Sequence, residues 1–70
     1  MADRKHGDRV IFKRPDGQYD VLRIDSFSVP IHEEVTTLEE AREMARGDLP
    51  EGGTIWYRTY QDPPDRLEPL

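Results

Sequence analysis

The sequence predicts a small α+β domain: a three- or four-stranded, mostly antiparallel sheet in the order 3-2-1-4, with one short helix packed on one face and the topology βββαβ or ββαβ. Three observations carry this. Two β-rich runs flank a Pro15-Asp16-Gly17 turn, residues 37–47 hold the one complete set of helix signals, and a further β-rich run follows the helix. Seventy residues make one domain with a small core, so each large apolar side chain matters.

Residues 1–7 are polar and basic and precede any periodic pattern, which predicts a flexible arm; the domain proper spans residues 8–60. Arg9-Val10-Ile11-Phe12-Lys13-Arg14 and Gln18-Tyr19-Asp20-Val21-Leu22-Arg23-Ile24 concentrate β-branched and aromatic residues. Between them Pro15 sets φ, Asp16 favours the turn and Gly17 takes the positive φ of a bulged three-residue loop. Pairing Arg14 with Gln18 places Phe12 opposite Asp20, Ile11 opposite Val21, Val10 opposite Leu22 and Lys13 beside Tyr19. One face of the hairpin then carries Val10, Phe12, Leu22 and Ile24, the other Ile11, Tyr19 and Val21. Neither face is polar.

Residues 25–36 keep a period of two through Phe27, Val29, Ile31 and Val35, but Pro30 cannot donate to a ladder, so a short strand near residues 31–35 belongs at an edge. Thr37 then caps a helix, with Glu40 three residues on to close a capping box. Leu38, Ala41, Met44 and Ala45 recur on its apolar face, while Glu39, Glu40, Arg42, Glu43 and Arg46 fall on the water side. Gly47 provides a left-handed stop and Pro50 forbids continuation. Thr54-Ile55-Trp56-Tyr57-Arg58-Thr59-Tyr60 follows as a strand, and a right-handed crossover brings it parallel to the first. Residues 61–70, with Pro63, Pro64 and Pro69 among charges, read as an extended, largely unpacked tail.

This order, with Thr37-Leu38-Glu39-Glu40-Ala41 entering the helix after an edge strand, resembles the HicB-type antitoxins of toxin–antitoxin pairs and similar short bacterial domains across residues 9–60. Val29-Pro30-Ile31-His32-Glu33 stands where that family carries a Pro-Asp-Leu-Pro-Gly type of run. The resemblance implies a fold and a habit of binding protein partners rather than an activity.

The net charge is −5, unevenly spread: residues 1–23 hold six basic against four acidic side chains, and the acidic excess lies beyond them. That balance argues against broad nucleic-acid binding, which rests on many Lys and Arg contacts to phosphates. The absence of cysteine removes disulfides and thiolate metal sites. With no apolar signal core and no run near the ~20 residues of a membrane span, a cytoplasmic location is expected.

Chemistry-bearing patterns fail one by one. His32-Glu33-Glu34 begins like a zinc-protease motif, but Thr36 stands where the second His is required. Gly47 to Thr54 mimics a phosphate-loop spacing, yet Gly53 replaces the lysine and the helix precedes the strand. The two serines and His32 make no triad, and the carboxylates lie on solvated faces. No enzyme, metal or cofactor is expected.

What remains is a non-enzymatic binding module using an uncovered sheet face or an edge strand toward a protein partner, foreign or a second copy in a homodimer. Its candidate interface is Tyr19, Val21, Ile11, Tyr57, Tyr60 and Arg58. The alternative is an acidic, antitoxin-like inhibitor using Glu39, Glu40 and Glu43 against a basic partner.

Overall fold

Alternating β-branched and aromatic residues extend Arg9–Lys13 (β1) and Tyr19–Ile24 (β2), and the turn between them folds the two into a hairpin. In the computed structural model, which describes residues 7–24, 28–47, 49–63 and 67–70, the register is the expected one: Ile11 pairs with Val21, Phe12 with Asp20 and Val10 with Leu22. Gly17 has φ +87°, the Arg14 amide donates to the Gln18 carbonyl at 2.8 Å, and the Gln18 amide donates to the Asp16 carboxylate at 2.9 Å. Arg14 also lies 3.4 Å from the Asp20 carboxylate, bracing the loop. The expected arm before Gly7, Phe27, and the middle of the expected tail lie outside the described residues.

Ser28–Val35 (β3) pairs antiparallel with β2, at the edge of the sheet. It is longer than the 31–35 run expected and less regular, with two register shifts against β2. At one of them Glu34 adopts φ 58° and its amide donates to the Asp20 carboxylate at 3.2 Å. Bulges, Pro30 and two exposed glutamates blunt this edge against pairing with another chain.

Leu38–Gly47 (α1) starts where Thr37 caps it, the Glu40 amide donating to Thr37 Oγ1 at 3.1 Å. Gly47 is the last helical residue and does not take a positive φ, so the left-handed stop expected there is absent; the Leu49 amide instead reaches the Arg46 carbonyl at 3.3 Å. Ile55–Thr59 (β4) then runs parallel to β1, Val10 beside Trp56 and Phe12 beside Arg58. Glu68–Pro69 (β5) adds a fifth strand, pairing Pro69 with Trp56 and Glu68 with Tyr57, so the order is β3-β2-β1-β4-β5. The expected 3-2-1-4 arrangement is present with one strand added. The tail is therefore partly packed, because its last residues find an open strand edge.

Helix α1 covers the face that carries Ile11 and Val21. Ala41 and Ala45 face inward and pack with Ile11, Val21 and Val35, with Leu38, Ile31, Tyr19, Ile55 and Tyr57 around them. Two alanines at this contact let the helix axis approach the sheet closely. Met44, expected on the inner face, is 39% exposed; a narrow alanine stripe leaves the next position at the rim.

Enlarging that stripe should strain the fold. Ala45→Leu is expected to cost about 1–3 kcal/mol by overpacking, whereas Met44→Ala should cost under about 1 kcal/mol, read by urea unfolding. Equal losses would contradict the placement of the inner face.

Candidate functional site

Side chains alternate along each strand, so partners in register share a face. On the face away from α1, the ladder aligns Pro30, Leu22, Val10, Trp56 and Pro69, one from each strand from β3 to β5. All five are apolar. Val10, Ile24 and Trp56 form a second buried cluster, with Leu22 and Leu67 packed against it. The row is deepest at its centre, while Pro30 and Pro69 at its ends are exposed and Leu22 is half-buried.

The floor of this face is fixed by Asp8. Its side chain is 2% exposed, and its carboxylate accepts the Thr54 amide at 2.9 Å and the Trp56 indole Nε1–H at 2.9 Å. The Arg9 amide returns a bond to the Thr54 carbonyl at 3.1 Å, and the Asp8 carbonyl accepts the Ile24 amide at 2.9 Å. Gly7, expected in the arm, is tied in as well: its amide donates to Ile24, its φ is +91°, and a side chain there would meet Pro50. A buried polar side chain is tolerated where hydrogen bonds satisfy it, and each Asp8 carboxyl oxygen has a donor here.

One step along the strands, Phe12 and Arg58 lie side by side, the guanidinium carbon 5.0 Å from the ring centroid. Arg58 Nη2 also donates to the Asp62 carbonyl at 3.3 Å, and Nε is buried without an acceptor among the described residues. The Asp62 carboxylate accepts the Thr59 amide at 2.8 Å, closing the turn after β4. Phe12, Arg58 and Leu22 are each half-buried, and Tyr60 just beyond is 47% exposed. An arginine stacked on an aromatic ring beside an apolar row is the residue chemistry that anchors protein interfaces.

The interface expected from sequence is thus divided. Arg58 lies on the open face and Tyr60 is exposed, but Ile11 and Val21 are 0% exposed beneath α1, and Tyr19 and Tyr57 pack partly buried in the same cluster. The correction has a simple cause: both faces carry apolar residues, and the helix covers the one on which those four lie. Phe12, Leu22 and Pro30 were not singled out as an interface, although the hairpin register had already placed Phe12 and Leu22 on one face. Glu39, Glu40 and Glu43 are exposed as expected, yet Glu39 and Glu43 share a shallow groove with Arg42 and Arg46, so the helix presents mixed charge rather than an acidic face. Among the described residues no three His, Asp or Glu side chains gather in a way that could hold a metal, and no helix is long and apolar enough to cross a membrane.

Comparison with protein-family models, curated proteins and solved structures finds no match to this chain.

Burial pushes the Tyr57 phenol above its ordinary value of 10.0, and the neighbouring Tyr19 and Asp62 push it the same way. An unfolded tyrosine loses its proton near pH 10, before the folded one does, so this group's contribution to stability should be complete below about pH 10 and fall as pH rises further. Urea unfolding should show that alkaline loss shrinking in Tyr57→Phe. An unchanged slope would mean that Tyr57 ionises as freely in the fold as out of it.

Proposed function

We propose that this chain is a small non-enzymatic binding module that engages a protein partner through the sheet face opposite α1. The observation that carries it is the Phe12–Arg58 stack at 5.0 Å, set beside an apolar row that crosses all five strands. Truncating the anchor of such a surface commonly costs more than about 2 kcal/mol of binding, whereas scattered polar contacts contribute little. The half-buried Leu22 and the exposed Pro30 extend the patch toward β3. Edge pairing at β3 is the weaker route, since its bulges and Pro30 interrupt the donors a partner strand needs.

An acidic inhibitor working through Glu39, Glu40 and Glu43 is the competing reading. Arg42 and Arg46 stand against it by diluting the field those carboxylates project toward a basic partner.

Affinity capture from the native cell, comparing the full chain with Arg58→Ala, Leu22→Lys and the Glu39→Lys/Glu43→Lys pair, separates the two. Binding through the sheet face predicts that a captured protein is lost by at least about tenfold in the first two variants while both remain folded by circular dichroism at the capture temperature. Loss only in the charge-reversed pair would replace this function with the inhibitor.

A further inference from the structure

The Val10–Ile24–Trp56 cluster is covered in part by a segment far from it in sequence, Leu67–Leu70, which adds a short strand at the edge of the sheet. Strand β5 is two residues long, and the Leu70 amide donates to the Ile55 carbonyl at 2.9 Å. Leu67 alone of these residues is half-buried, while Glu68, Pro69 and Leu70 are exposed. Strand β4 is tied to β1 along its whole length, by contrast, and Asp62 closes its far end.

We propose that Leu67–Leu70 is an exchangeable strap, and that a second copy of this chain donates it in trans. In the resulting dimer each Leu67 fills the other copy's Val10–Ile24–Trp56 cluster and each β5 pairs with the other copy's β4. The exchange deepens the binding role proposed above, on which it rests, by naming the partner.

Three features support that occupant. Among the described residues the strap is the segment beyond β4 seated on this cluster, so an identical segment remakes its contacts with no change of register. Pro63, which follows the turn closed by Asp62, has a fixed φ and, as a residue before proline, a ψ biased toward extended backbone, so the chain leaves that turn extended. Of the three exposed large apolar side chains among the described residues, two belong to this region: Tyr60 at the start of the connection and Leu70 at the end of the strap. A second copy can cover them.

The test is the mass of the full chain by sedimentation from about 10 μM to about 1 mM, because only an association responds to dilution. Exchange predicts a mass that doubles with concentration, an association at least about tenfold weaker in Leu67→Ser, and return to monomer when a millimolar peptide of residues 63–70 is added to the parent chain. If Leu67→Ser fails to fold, the peptide arm on the parent chain decides. A monomer across the whole range overturns the exchange, as does a dimer that ignores both the substitution and the peptide. A dimer of that second kind, lost in Arg58→Ala, would sink the exchange and leave the sheet-face reading standing.

Discussion

The Asp8 carboxylate, closed off from water and bonded to the Thr54 amide and the Trp56 indole, is the constraint on which the sheet depends. Its partners lie 46 and 48 residues away along the chain, so it fastens the start of β1 to the start of β4. Parallel pairing closes a long loop before any contact repays the entropy, and α1 must be placed within that loop. A hydrogen bond at the point of closure contributes about 0.5–1.5 kcal/mol, and leaving its buried acceptor unsatisfied costs about 1–3 kcal/mol, a large share of the stability open to a domain of this size. The same carboxylate orients Trp56, the largest side chain of the second cluster. Fold and candidate surface thus share one anchor.

From that anchor the two faces are finished differently. α1 seals one with alanines, leaving Ile11 and Val21 fully buried. The other is finished by Leu67 and a two-residue strand, and away from them it leaves Phe12, Arg58 and Leu22 partly open. Area buried under a helix stabilises the domain; the proposed binding role falls to the area covered by a short strap or left beside a stacked arginine. The guarded β3 edge is compatible with the proposed use of a face, since bulges, Pro30 and exposed glutamates limit pairing with other strands there.

Much of the fold was legible in the sequence. The Pro15-Asp16-Gly17 turn specified the hairpin register residue by residue, Thr37 specified the helix start, and the β-rich run at residues 54–60 specified the returning strand. These signals are local, each set by backbone preferences within a few residues. The choice of face was not legible: Ile11 with Val21 and Val10 with Leu22 are equally apolar rows, and hydropathy alone does not say which one meets Ala41 and Ala45. Asp8 left no signal either, because an aspartate before a strand looks like any polar boundary until Trp56 arrives from the far end of the chain. β5 escaped for the opposite reason, its Pro69 and neighbouring charges reading as tail while an unpaired β4 edge was enough to order two residues. Of the site, Arg58 and Tyr60 were found as aromatic and cationic strand residues, and the Phe12 stack needed the parallel register to appear.

Native-state hydrogen exchange at the Thr54 amide and the Trp56 indole tests most directly whether Asp8 closes the sheet. If it does, both protons exchange only when the whole domain unfolds, with the free energy obtained from urea unfolding, alongside the Val10 and Leu22 amides of the hairpin. Exchange of either proton as fast as at the exposed hairpin turn, while the Val10 and Leu22 amides that face each other across the hairpin stay protected, would show that β4 separates from β1 without disturbing the rest, and that the fold is held elsewhere.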